Sequence, residues 1–334
     1  MVTLAGALAG AHNRVNGAEQ GALRRPLAAS SAASAADRAG TAGEEGFMHR
    51  VMVGSVEIVA LLDAVFLQNP KVLTPEHADE MAQEYRDVLD ERGLCHGAVT
   101  CYLIRSGGGL ALVDTGIGPR PRQRFPDGHL DAVLREAQIS PADINYVLHT
   151  HLHGDHVGWN TFAAADGSPE IFFPNAQFVI QQAEWDYWMD PERLAQERGA
   201  LLRECVVPAR ESGQVLLARG DETVLDHLRF IATPGHTPGH VAIDVADGPG
   251  RAVIIGDASH HPLHVAHPDW ASPLDWDPQL AMRSRNRIYD EAAEDHRLVL
   301  GGHWTHPGWG HVERQDGRRV YRPFREEPAP ASAG

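Results

Sequence analysis

From Met48 onward, short apolar runs alternate with polar turns, and the period of the apolar positions switches between two and three to four. Residues 51–53 and 56–62, on either side of Gly54-Ser55, pattern as a β-hairpin with a glycine-containing turn. Thr74-Pro75, a capping residue followed by proline at the first helical position, opens a helix predicted to run to Arg92 and to stop at Gly93. Residues 98–105 and 110–114 pattern as strands around a turn at 106–109, and 130–138 as a helix. A short buried strand is predicted at 144–148, a strand region at 172–180 and a largely helical stretch at 183–204. Three more strands are predicted at 228–232, 241–245 and 252–255, then a helix at 277–293 and a last core strand at 298–300. Strands in two groups, with helices between and after them, predict one α/β (α+β) domain whose sheets are covered by helices.

The ends of the chain differ from this pattern. Residues 1–46 are rich in Ala, Gly and Ser and carry no sustained apolar period, so they read as a disordered tail. The domain is expected over 47–326, with a second short tail at 327–334. Arg24-Arg25 ahead of an Ala/Ser run is faintly like a twin-arginine export segment. That run is too polar for the apolar region such a segment needs, which leaves a cytoplasmic protein, with a tail or a start placed upstream of Met48, as the expectation.

Charge and cysteine usage narrow the partners. A formal charge of −16, from 45 acidic and 29 basic residues, argues against nucleic acid, whose phosphates need clustered Lys and Arg. No stretch approaches the ~20 unbroken apolar residues of a membrane span, so no membrane partner is expected. Cys95, Cys101 and Cys205 form neither a disulfide framework nor a CxxC metal pair.

Histidine changes the picture, because several of the 20 follow directly on apolar strands. The densest cluster is His151-Leu152-His153-Gly154-Asp155-His156, after the strand ending at Leu148. His151 and His153 point the same way in extended backbone, and Gly154 lets the chain turn Asp155 and His156 toward the same cavity. Three histidines and an aspartate within six residues repel or desolvate one another unless a cation sits among them. Three other segments place metal-type ligands beyond strands: Gly235-His236-Thr237-Pro238-Gly239-His240, Gly256-Asp257 and Gly302-His303. Imidazole with carboxylate suits Zn²⁺, and also Mn²⁺ or Fe²⁺. Taken singly, His240 or His303 reads as a loop histidine and Asp257 as a turn cap; His149, His260, His261, His264, His267 and His306 keep that plainer reading.

Taken together, the four segments resemble the metallo-β-lactamase-fold hydrolases, over residues 51–322. The resemblance implies a four-layer αββα sandwich and two divalent cations, zinc before manganese or iron. It implies that His151, His153 and His240 hold one cation, that Asp155, His156 and His303 hold the other, and that Asp257 bridges them, with His236 a non-ligand histidine. The expected chemistry is hydrolysis by a hydroxide generated at the two cations, with Asp155 both ligand and hydroxide positioner. His260, three residues after Asp257 where lactonases of this superfamily carry tyrosine, is either a proton donor or oxyanion partner, or an exposed loop histidine.

Two-zinc β-lactamases usually carry cysteine where Asp257 stands, so this chain is more similar to glyoxalase II, acyl-homoserine lactonases and methyl parathion hydrolase. The run from Gly302 to Val312, with Tyr321-Arg322-Pro323 and Pro268-Asp269-Trp270, resembles the methyl parathion hydrolase branch, which also contains lactonases. Trp159, Trp185, Tyr187, Trp188, Trp270, Trp276, Trp304 and Trp309 form either an apolar pocket wall or core and interface, with core the preferred reading for Trp185 and Trp188. Little basic charge lies near the motifs; Arg285 is expected to be structural, paired with Asp277 or Asp290. The expectation is a two-metal hydrolase of a carboxylic ester or lactone in a small, largely neutral organic molecule, with a homodimer compatible with the tryptophans. Phosphotriester hydrolysis, thioester hydrolysis and di-iron redox chemistry are the alternatives.

Overall fold

The structure, a computed structural model, describes residues 47–107, 109–119, 127–196 and 199–324. The tails expected at 1–46 and 327–334 lie outside these residues. The strands are β1 (Met48–Val53), β2 (Val56–Gln68), β3 (Cys95–Ser106), β4 (Gly109–Val113), β5 (Tyr146–Leu148), β6 (Thr161–Ala163), β7 (Pro169–Ile171) and β8 (Gln177–Gln181). They continue with β9 (Val215–Ala218), β10 (Thr223–Leu225), β11 (Leu228–Ala232), β12 (Val241–Asp247), β13 (Gly250–Ile254), β14 (Leu298–Leu300), β15 (Trp309–Gln315) and β16 (Arg318–Pro323). One seven-stranded sheet has the order β1-β2-β3-β4-β5-β8-β9 and the other β10-β11-β12-β13-β14-β15-β16, while β6 and β7 form a separate hairpin. In the first sheet the β4–β5, β5–β8 and β8–β9 pairs are parallel. In the second only β13–β14 is parallel.

Strand periodicity explains the layering. Along β2, Ile58 and Ala60 join the core between the sheets, and Val59 and Leu61 join a second core on the far face. Along β3, Tyr102 and Ile104 face inward to the shared core and Cys101 and Leu103 outward. Both faces of these strands are therefore buried, and a one-residue register slip would exchange two cores at once. The outer core of the first sheet takes Leu130, Val133 and Leu134 from the helix Leu130–Glu136. The outer core of the second takes Ile288, Tyr289 and Ala292 from the helix Pro278–Glu294. Helix, sheet, sheet, helix is the expected αββα sandwich.

Some elements differ from their sequence patterns. The predicted helix over 75–92 is two short helices, Pro70–Leu73 and Ala78–Glu84, with single turns at Pro75–His77 and Arg86–Val88. Thr74 makes no side-chain cap; Asn69 caps instead, accepting from the Lys71 amide ahead of Pro70. The stretch 183–204 is likewise broken into Gln182–Trp188, Pro191–Ala195 and Ala200–Cys205, because Asp190 and Pro191 start a new helix. The strand region at 172–180 is a strand only from Gln177. Leu298–Leu300 is not the last core strand: β15 and β16 extend the sheet as a hairpin turning at Asp316-Gly317, both at positive φ.

Candidate metal centre

All four histidine- or aspartate-bearing loops leave the same end of the two sheets. His151 and His153 follow β5, the GHTPGH loop joins β11 to β12, Asp257 follows β13 and His303 follows β14. Parallel pairing of β13 with β14, and of β4 with β5, makes these strands deliver their carboxyl ends together.

Asp257 stands at the centre. Its Oδ1 lies 3.2 Å from the Nε2 of His156 and 3.2 Å from that of His303. Its Oδ2 faces the other way, 3.3 Å from His236 Nε2, 3.3 Å from His260 Nε2 and 3.8 Å from His151 Nε2. The ligand atoms of His151, His153 and His236 converge within 4.8 Å, as do those of Asp155, His156 and His303, and of His151, His156 and Asp257. Asp257, His151, His156, His236, His260 and His303 are buried.

Hydrogen bonds on the far side of each ring set where the lone pairs point. His156 donates from Nδ1 to Asp114 Oδ2 at 2.8 Å, and His303 donates from Nδ1 to the Ala98 carbonyl at 3.0 Å. Each ring then presents a bare Nε2 to the site, and the two Nε2 atoms lie 3.2 Å apart. His236 donates from Nδ1 to Asp275 Oδ1 at 3.0 Å and aims its Nε2 at His153 Nδ1, 2.9 Å away. The facing Nε2 atoms of His156 and His303, both acceptors in this arrangement, need positive charge between them. The carboxylates ask for the same. Burial works against charge on His303, but Asp257 and Asp155 push its imidazole up to about 9, and Asp257, Asp114 and Asp155 outweigh burial at His156 in the same direction. Burial would raise the Asp257 carboxyl, yet His303, His156, His236 and His151 hold it well below the usual range. The buried Nε2 of His151 and Oδ1 of Asp257 have no hydrogen-bond partner among the described residues. Divalent cations with nitrogen and oxygen ligands fit this donor set.

One expected ligand stands apart. His240 does not join either cluster, and His236, expected to be the non-ligand, does. The His240 ring is fully engaged: Nδ1 donates to Thr233 Oγ1 at 2.8 Å and Nε2 accepts the Asp257 amide at 3.0 Å. Burial lowers this imidazole to about 4.

His260 is not an exposed loop residue. Its ring is buried, 5.0 Å from that of His236 and stacked 6.1 Å from that of His303, and neither nitrogen has a hydrogen-bond partner among the described residues. The other histidines take structural contacts: His149 stacks on Phe178, His267 on Trp270, His264 Nδ1 meets Ser259 and His306 Nδ1 meets Thr100, while His261 Nδ1 accepts the Leu263 amide. Three carboxylates were missed in the sequence: Asp114, Asp275 and Glu184, all buried or nearly so and all bonded to the ligand loops. The signal for Asp114 was present, since it ends the apolar run of β4 just as Asp257 ends that of β13.

Few of the aromatics line the site. Trp159, Trp270, Trp304 and Trp309 are core residues. Trp188 packs partly against a small core but also sets its ring 5.7 Å from that of His153, and the Phe66 ring stands 5.7 Å from that of His303. Trp276 is exposed and meets Tyr187. Arg285 pairs with neither Asp277 nor Asp290; it is buried and donates to the Trp270 carbonyl, while Asp277 caps its helix and Asp290 takes Arg314. Among the described residues no helix is long and apolar enough to cross a membrane.

Comparison with known proteins shows what the chain resembles. An N-acyl homoserine lactonase of Bacillus cereus is 26% identical over 241 residues, covering 67% of this chain and 85% of the relative. The N-acyl homoserine lactonase AttM of Rhizobium radiobacter is 34% identical over 231 residues, 61% of this chain and 81% of the relative. Among solved structures, the hydrolase AbOPH superposes with a TM-score of 0.74 at 24% identity, over 85% of this chain and 100% of that one. AidC, a dizinc quorum-quenching lactonase, superposes with a TM-score of 0.73 at 23% identity, over 84% of this chain and 98% of that one. These two likenesses establish the fold. Residues 96–311 match the family profile directly: the chain belongs to the metallo-beta-lactamase superfamily.

Proposed function

We propose that this metal-dependent hydrolase opens a lactone, or cleaves a carboxylic ester, in a small and largely neutral organic molecule. His151, His153 and His236 would hold one divalent cation, and Asp155, His156 and His303 the other, with zinc the expected metal before manganese or iron. The observation that carries the reading is the division of the two Asp257 oxygens between the two histidine clusters, the arrangement a bridging carboxylate needs. Bound there, the cations supply Lewis acidity and lower the pKa of the attacking water.

The chain's own residues then have distinct tasks. Asp155 accepts a hydrogen bond from the attacking water and so aims it. Asp257 keeps the two halves of the centre in register and is itself held by His240 through its amide. His260, buried with its Nε2 3.3 Å from the Asp257 carboxylate, offers an N–H to the substrate oxygen as negative charge develops on it, or to the leaving oxygen. Phe66 and Trp188, whose rings lie beside His303 and His153, put apolar surface next to the centre, which favours neutral organic groups. The carboxylate at 257, and relatives named as N-acyl homoserine lactonases, favour lactone or ester over β-lactam.

A hydrolysis screen of the zinc-loaded protein tests this reading, run across lactones, aryl esters, thioesters, β-lactams and phosphotriesters. Lactones or carboxylic esters should give the highest kcat/KM. A higher value for thioesters, phosphotriesters or β-lactams would overturn it.

A further inference from the structure

We infer that Glu184 is a positioning residue that fixes one half of the metal centre, the half formed by His151, His153 and His236; this rests on the two-cation reading above. Glu184 lies in the first turn of the helix Gln182–Trp188 and is 1% exposed. No Lys, Arg or His forms an ion pair with it among the described residues. A buried carboxylate without a counter-charge is costly and persists only where donors surround it.

Four donors do so, and only one comes from its own helix. Oε1 accepts the Leu152 amide at 3.0 Å and Trp188 Nε1 at 2.8 Å. Oε2 accepts the Thr237 hydroxyl at 2.6 Å and the Gly239 amide at 3.0 Å. Leu152 is the residue between His151 and His153, while Thr237 directly follows His236 and Gly239 lies two residues further on in the same loop. One carboxylate thus ties together the two loops that carry these three imidazoles. The fit of the second loop on the helix is close: a Cβ at position 239 would lie 2.0 Å from the Glu184 nitrogen.

The other half of the centre is held by different groups. His156 is oriented by Asp114 and His303 by the Ala98 carbonyl, and neither contact involves Glu184. A residue that only stabilised the fold would affect both cation sites alike. Glu184 should affect one.

Glu184→Gln is the informative substitution. It keeps the shape, but the amide nitrogen must face donors from one of the two loops, a donor meeting a donor. Thr237→Val removes a single one of the four hydrogen bonds and serves if the first variant does not fold. The stepwise zinc affinities of metal-free wild-type and variant proteins are measured by competition with a chromophoric chelator, with the thermal unfolding of each metal-free protein recorded beside them. For Glu184→Gln, one of the two affinities should fall about 10–100-fold, the usual effect of removing a group that orients a ligand, while the other holds. Thr237→Val should lower the same affinity by less. Two unchanged affinities, or two that fall together in step with lost thermal stability, would overturn the inference. A wild-type protein that binds no zinc would instead sink the two-cation reading, and with it this one.

Discussion

His240 accepts the backbone N–H of Asp257 on its Nε2 at 3.0 Å, so the second histidine of the GHTPGH loop supports the central carboxylate from behind. The first histidine of the same loop, His236, faces that carboxylate from within the site at 3.3 Å. Two chemically identical side chains, four residues apart, therefore meet different parts of Asp257, one its amide and the other its carboxylate.

Substitution separates them. His236→Ala should lose one of the two bound zinc ions and nearly all turnover. His240→Ala should keep both ions at saturating zinc but lose about 1–3 kcal/mol of stability, because the buried Asp257 amide is left without an acceptor. Metal analysis and denaturant unfolding of both variants check this; the reverse pattern would restore His240 as the ligand.

His260→Phe keeps the ring and its packing against His236 and His303 but removes both nitrogens. Turnover should fall by roughly 10²-fold, the scale for losing one hydrogen-bond donor to a developing oxyanion. Bound metal should not change. Steady-state kinetics with elemental analysis checks both, and unaltered kcat would make His260 a packing residue.

Asp114 accepts the Thr150 amide at 2.9 Å, the Thr150 hydroxyl at 2.7 Å and His156 Nδ1 at 2.8 Å. In Asp114→Ala the His156 ring loses the bond that sets its tautomer. Affinity for one zinc ion should drop about 10–100-fold. The affected site is the one that includes His156, so the defect should complement that of the Glu184 variants, and chelator competition on the two single variants and the double variant will show whether they act on different ions.

Gly239→Ala should be severely destabilising, since the new methyl carbon would lie 2.0 Å from the Glu184 nitrogen and 2.4 Å from its Cα. Neither partner is a flexible side-chain end, so backbone must move, at a cost of about 3 kcal/mol. Thermal unfolding of the metal-free protein measures it; an unchanged Tm would mean that the loop does not rest on the helix.

The parts of the centre visible in the sequence are those whose ligands lie close together along the chain or directly after an apolar strand. His151, His153, Asp155 and His156 announce themselves by density, and Asp257 and His303 by position after β13 and β14. Which contacts the His236 and His240 rings make was not visible from the loop itself. That is decided by the Thr233 hydroxyl and the Asp257 amide, one before the loop and one on another strand end. Asp275 and Glu184 resemble any other acid locally, and their roles exist only after the chain has packed. The same contrast holds for the fold. Strands buried on both faces, such as β3, stand out as apolar runs, whereas β15 and β16 are charged on much of their length and were signalled only by the Asp316-Gly317 turn.

The most direct test of the two-cation account is reconstitution. Zinc is titrated into the metal-free protein while hydrolysis of a lactone is followed. The account predicts no turnover before zinc is added and a rise that levels off at two equivalents. Turnover in the absence of metal, a plateau at one equivalent, or uptake of two ions with hydrolysis of neither a lactone nor a carboxylic ester would contradict it.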